Sequence, residues 1–218
     1  MMTRFGARFY DFYTYPVNAT LMAAVGKRYG FSGINVIGRD PKEKIICPED
    51  FSIYRGVEIR AKPSRIREEI RKYRGSDHIL IVNGGEEDIN RAAVETEGLD
   101  ILIHPLEFNN VLAKAASDNS VSIGFNLGLL IRLRGEARVR ELKTMWINLK
   151  HARKYKLQLM LTCSAQSIYD LRAPREMVAI SSLFGMTEKE AVDAMSETPL
   201  NILRRKSPDY IQEGIEIL

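Results

Sequence analysis

The chain has 218 residues, 45% of them hydrophobic, and a net charge of +4. It is too apolar for a disordered chain and long enough to bury a core in one domain, or a domain with appendages. No apolar run approaches the roughly eighteen residues of a membrane span, and the start, Met1 to Arg8, lacks the apolar stretch of a signal peptide, so a cytoplasmic protein with no membrane partner is expected.

In chain order, β-rich runs at 8–12, 33–37, 54–61, 78–82, 100–103, 122–126 and 158–162 alternate with helical periodicity at 19–29, 64–73, 88–96, 109–119 and 135–155. Asn18-Ala19-Thr20 has the form of a glycosylation sequon, but Asn18 stands just before a helical pattern and reads as its N-cap. Strands that are apolar nearly throughout and separated by helices point to a parallel sheet covered on both faces. About seven such units, with no Gly-rich dinucleotide turn after the first strand, favour an α/β fold of the TIM-like (βα) barrel type over an open sheet. Three further helices are expected at 175–184, 187–195 and 199–205, with Thr187 and Glu190 spaced as a capping box. The barrel domain is placed at 1–206 and a loosely docked tail at 207–218. Cys47 and Cys163 are too far apart for a metal knuckle or a redox pair, and each reads as a small buried hydrophobe.

Barrel chemistry sits on the loops that follow the strands. The first exit, Asp11 to Pro16, is aromatic rather than rich in metal ligands, and the three histidines, His78, His104 and His151, show no metal-pair spacing. Of these, His104 stands at a strand exit, where a packing role before Pro105 competes with a functional one. Asn83-Gly84-Gly85 resembles a phosphate loop, but Glu86 and Glu87 would repel an anion, so a structural turn is expected. After the last strand comes TCSAQSIYDLRAPREM, residues 162–177, with a thiol and hydroxyls but no nearby histidine to activate them. In this loop Ser164 and Ser167 are expected to cap or brace the chain. Asp170 is expected to pair with Arg172 or Arg175, leaving the arginines facing outward toward phosphate.

Positive charge is concentrated. Between Arg132 and Lys156 nine Lys/Arg stand against two Glu, a local +7 that leaves about −3 for the remainder. On a helical wheel Val139, Leu142, Met145, Trp146, Leu149 and Ala152 share a face expected to pack on the barrel, with Arg140, Lys143, Lys150 and Lys154 along its flank. Two further clusters are Lys62 to Arg74 and Arg204-Arg205-Lys206. Such patches supply phosphate contacts that need no base reading.

Residues 162–177, together with LFGM at 183–186, EGLDILIHP at 97–105, NVLAK at 110–114 and NLKHARKYK at 148–156, resemble the ribonuclease P protein component 3 family of archaea and eukaryotes. The likeness runs from about residue 8 to residue 206. It implies a TIM-barrel-like relative of the polymerase-and-histidinol-phosphatase phosphoesterases without their metal ligands. It also implies a protein subunit that assists a catalytic RNA in removing 5′ leaders from precursor tRNA, the RNA itself using magnesium. The partners implied are ribonuclease P RNA, a small α/β protein subunit, other proteins of the same complex and, indirectly, precursor tRNA. Gly128 stands where relatives are expected to carry arginine, and the stretch between Pro105 and Asn109 is shortened; these departures bear on RNA contact there and leave the signature intact.

Arg140, Lys143, Lys150, Lys154, Arg172 and Arg175 are therefore the expected RNA or partner contacts, with Ser164 and Asp170 organising the loop and no catalytic or metal-binding residue. One alternative is a stand-alone metal-dependent phosphoesterase using Asp11, Glu58, His104 and Asp170. Another is a protein-only scaffold whose basic face docks an acidic subunit.

Overall fold

The computed structural model describes residues 7–15, 17–38, 45–106 and 108–207, and the backbone of 210–212 and 215–216. Most of the N-terminal stretch read for a signal peptide, Pro16 in the first exit, and Glu107 in the shortened stretch lie outside the described residues.

Seven strands, β1 (Phe9–Thr14), β2 (Phe31–Ile37), β3 (Ser52–Ile59), β4 (Ile79–Asn83), β5 (Ile101–Ile103), β6 (Ser122–Asn126) and β7 (Leu159–Thr162), pair in parallel in sequence order. Between them run α1 (Ala19–Tyr29), α2 (Pro63–Arg71), α3 (Glu87–Val94), α4 (Asn110–Asp118), and the pair α5 (Leu127–Arg132) and α6 (Gly135–Tyr155). After β7 come α7 (Pro174–Ser181), α8 (Glu188–Met195) and α9 (Glu197–Lys206), then an antiparallel hairpin, β8 (Tyr210–Gln212) and β9 (Ile215–Glu216).

Strand alternation divides the core in two, because successive side chains point to opposite faces. Tyr10, Phe12, Ile79, Ile81, Ile101, Ile103 and Met160 pack with one another inside the barrel. Phe9, Leu80, Val82, Leu102, Ile123 and Leu161 pack instead with helix residues such as Met22, Ala93 and Ala113. The interior is full: a Cβ on Gly124 in β6 would lie 2.1 Å from Ile103 Cδ1. At the end where the strands begin, Ile202 of α9 joins the interior cluster and closes it.

β1 and β7 share no backbone ladder among the described residues, and side chains together with one backbone bond just past the strand ends close the seam. The Thr162 hydroxyl donates to Asp11 Oδ1 at 2.6 Å, the Cys163 amide lies 3.3 Å from Asp11 Oδ2, and the Tyr15 amide donates to the Ala165 carbonyl at 2.8 Å. The expected first strand therefore extends by two residues, to Thr14, because its end takes part in this closure.

Caps fall where the sequence placed them. Asn18 accepts from the Leu21 amide at 2.8 Å, and Thr187 and Glu190 exchange hydrogen bonds at the start of α8. Two expectations are corrected. Cys47 is exposed, its thiol donating to the Phe51 carbonyl, while Cys163 is buried. The buried side of α6 is Glu141, Met145, Asn148, Leu149 and Ala152, whereas Trp146 and Val139 are 48% and 65% exposed. The helical wheel misplaces these two apolar residues because Glu141 and Asn148, which occupy the buried face, are polar.

Candidate nucleic-acid interface

At the end where the strands exit, the acids and His104 each have a partner within the fold, while Asn126 Oδ1 and Glu141 Oε1 are buried without a hydrogen-bond partner among the described residues. The Asp11 carboxyl is fully buried and is pushed up to about 6 by burial, against the hydrogen bonds from Thr162, Tyr13 and Cys163. Glu58 accepts from the Tyr13 and Tyr15 hydroxyls at 3.1 and 2.5 Å and pairs with Arg60 at 2.6 Å. His104, held at φ 52°, places Nε2 2.9 Å from Glu141 Oε2 on α6. Burial and the Asp11 carboxylate push the Cys163 thiol far up, which leaves it a poor nucleophile. Among the described residues no three His, Cys, Asp or Glu side chains converge on a metal-sized site. The alternative ligand set of Asp11, Glu58, His104 and Asp170 is thus dispersed, each member committed to other partners. Gly84 and Gly85 form a structural turn: the Gly84 amide donates to Ile103, and the Asn90 side chain bonds both the amide and the carbonyl of Gly85.

The loop after β7 is rigid by local bonding. Ser164 is buried at φ 48°, and its amide donates to the Thr162 hydroxyl at 2.9 Å. Asp170 accepts from the Gln166 and Ser167 amides and from the Ser167 hydroxyl at 2.9 Å. Burial works against its charge, but these donors and Arg132 hold its carboxyl below the usual range. The expected pairing of Asp170 with Arg172 or Arg175 is corrected: its carboxylate bonds Ser167 and the loop backbone instead. Arg172 turns back to the Tyr169 and Leu171 carbonyls at 2.6 and 2.8 Å, while Arg175, exposed on the first turn of α7, has no polar partner among the described residues.

The outward face of α6 follows from its 3.6-residue period. Opposite the Met145/Leu149/Ala152 side stand Val139, Lys143, Trp146, Lys150 and Lys154. Lys150 Nζ lies 4.4 Å from the Trp146 ring centroid, a cation–π contact, and Lys154 donates to Asn110 at 3.0 Å. Lys143 has no polar partner among the described residues, and the Arg140–Glu136 pair at 3.5 Å is highly exposed and correspondingly weak. Arg153 differs, forking onto Glu190 at 2.7 and 2.8 Å. This face combines cations with an exposed aromatic ring, the pair of features that holds phosphates and stacks bases.

The model of the family described as RNase P subunit p30 matches residues 16–208. The chain belongs to that family. Ribonuclease P protein component 3 of Methanosarcina acetivorans is 42% identical, covering 97% of this chain and 96% of that one. The protein of the same name from Methanococcoides burtonii is 44% identical over 90% of this chain and 86% of its own. The fold of the RNase P subunit p30 family member seen here also matches a chain in a structure described as archaeal ribonuclease P with mature tRNA. That match has a TM-score of 0.79 at 24% identity, covering 96% of this chain and 97% of the other.

Two residues beside these groups are not marked by the sequence pattern. Trp146 was assigned to the core; its place on the wheel, at the margin of the apolar arc next to lysines, was the available signal. Arg132 lies at the end of α5, a six-residue helix too short to show a period, and no expectation covered it. A Cβ on Gly128 would lie 2.9 Å from its guanidinium and 2.2 Å from the Cys163 carbonyl, so Arg132 covers the position where an arginine was expected.

Proposed function

We propose that this chain is a non-catalytic protein subunit of ribonuclease P that binds the catalytic RNA, in a complex that removes 5′ leaders from precursor tRNA. The observation that carries this reading is the contrast within one barrel: the acids at the strand exits are bound internally, while the cations of α6 face outward around an exposed tryptophan. Family membership points the same way. Arg140, Lys143, Lys150, Lys154, Arg172 and Arg175 contact RNA phosphates, and Ser164 and Asp170 hold the loop that presents the two arginines. Magnesium belongs to the RNA. The barrel of residues 1–206 works as one domain with 207–218 as a tail, in the cytoplasm; no helix among the described residues is long and apolar enough to cross a membrane.

The small α/β subunit docks beside the RNA. A groove of about 470 Å³ lined by Leu130, Ile131, Leu142, Ile180 and Leu183 and edged by Arg134 and Arg138 adjoins the basic face and supports a protein contact there. The test is reconstitution of precursor-tRNA cleavage from RNA and protein subunits with and without this chain at low magnesium. Omission should reduce cleavage strongly, and unchanged cleavage would overturn the reading. The isolated chain should cleave neither precursor tRNA nor a model phosphodiester.

A further inference from the structure

The two basic clusters away from α6 are far apart in sequence and meet in space. Lys206 pairs with Asp100, ahead of β5, at 2.7 Å, and Arg205 Nη1 donates to the Ser120 carbonyl, ahead of β6, at 2.7 Å. The end of α9 thus lies across the strand starts, at the opposite end of the barrel from the loop after β7. There Lys206 helps to line a cleft of about 230 Å³ with Arg67, Arg71 and Arg74, facing Glu95 and Glu97 across it.

The charges of α2 are sorted. Arg65 pairs with Glu68 and Glu69, and Lys72 with Glu69 at 2.7 Å, so that side of the helix neutralises itself. Arg67 and Arg71, one turn apart on the cleft side, have no ion-pair or hydrogen-bond partner among the described residues. Like charges at this spacing repel, a cost that an anion between them would reverse. The opposing acids do not serve: Glu97 lies 3.7 Å from Arg74 and Glu95 3.7 Å from Arg91, both pairs well exposed. At the same end of the barrel the Arg205 Nε and Nη2 atoms are buried without an acceptor among the described residues, adding unsatisfied donors to the local field.

Two guanidinium forks on successive turns match the oxygens of a phosphate. Of the apolar and aromatic lining residues Ile70 and Leu80 are buried and Tyr73 is half-buried against the core, so the cleft presents mainly guanidinium groups to a ligand. We propose that this cleft grips a backbone phosphate of ribonuclease P RNA, a second RNA contact at the end of the barrel remote from the loop after β7. The proposal rests on the RNA-subunit reading above.

The test compares the full chain with Arg67→Ala/Arg71→Ala, Arg67→Lys/Arg71→Lys and Lys143→Ala/Lys150→Ala, measuring affinity for ribonuclease P RNA against salt in the presence of the partner subunit. Loss of one phosphate contact should lower the slope of log affinity against log salt by about 0.9 in the arginine-to-alanine variant, and the lysine replacements should restore most of it. A wild-type slope for that alanine variant, while Lys143→Ala/Lys150→Ala lowers it, would sink the cleft and leave the proposed function standing. Failure of the unmodified chain to bind RNA would sink that function itself. An alanine variant that keeps its RNA slope but loses the partner subunit would assign the cleft to protein and overturn the proposal.

Discussion

The exit end of the barrel and the outward side of α6 use polar residues in opposite ways. At the exits, Asp11, Glu58, His104 and Asp170 each have a partner supplied by the fold, and the acid with the highest burial, Asp11, bridges β1 and β7. On α6, Lys143 has no polar partner among the described residues and Lys150 rests only on the face of Trp146. A polar residue is available to a ligand when its neighbours leave it unsatisfied or only weakly held. The residue types alone suggest an emptied catalytic end; the bonding shows that these four side chains are tied into the fold.

The largest expected effect separates the two sides of α6. Leu149 is fully buried, and Leu149→Ala should destabilise the protein by about 2–5 kcal/mol through lost burial and the cavity left behind. Trp146→Ala removes a larger side chain that is half exposed, so its cost should be clearly smaller. Urea denaturation of both variants checks the order, and equal losses would mean that Trp146 belongs to the core after all.

Next comes the exit end. Because burial raises the Asp11 carboxyl to about 6 in the folded chain, protonation favours the fold. Its stability contribution is fully present below the unfolded value and is lost as pH rises through about 6. Stability should therefore increase between pH 7 and about pH 4.5, by an amount on the order of 2–3 kcal/mol at most. Asp11→Asn should flatten that rise in denaturation curves taken across the window. A curve for the unmodified protein that is already flat would mean that the carboxyl is not held as the seam geometry requires.

Much of this was legible in the sequence, for identifiable reasons. The expected spans of α1, β6 and α6 coincide with those observed, because caps and breakers stand at both ends: Asn18 and Gly30 bound α1, and Gly135 and Lys156, the latter at φ 54°, bound α6. The Thr187–Glu190 box was legible because its bonds are local. What was not legible depends on contacts between distant segments. Glu141 faces inward because it meets His104, and Asn148 because its amide donates to the Pro105 carbonyl at 2.7 Å, and neither partner is marked in the pattern of α6 itself. The meeting of α2 with the end of α9 is likewise a product of barrel closure.

A smaller effect tests the outward cations. Lys143→Ala/Lys150→Ala should leave folding unchanged within about 0.5 kcal/mol, as surface substitutions do, and lower the RNA salt slope by about 1.8 if each lysine meets a phosphate. A slope unchanged by this pair would remove α6 from the RNA interface.

The smallest effect on RNA binding belongs to Arg153, which shares the helix with those lysines but is tied down. Its guanidinium forks onto Glu190 and also donates to the Gly185 carbonyl at 2.8 Å, and Glu190 in turn caps α8 through Thr187. Arg153 is the main reason the Glu190 carboxyl is lowered to about 2. A lowered carboxyl contributes stability above its unfolded value and loses it as pH falls through the folded one, so this pair weakens only in acid, opposite in sign to Asp11. Because both side chains are partly exposed, Arg153→Ala should cost no more than about 1 kcal/mol. It should leave the RNA salt slope untouched. A drop in slope matching that of a lysine variant would show that an internally paired cation still serves RNA, and availability could then no longer be inferred from the bonding of the folded chain.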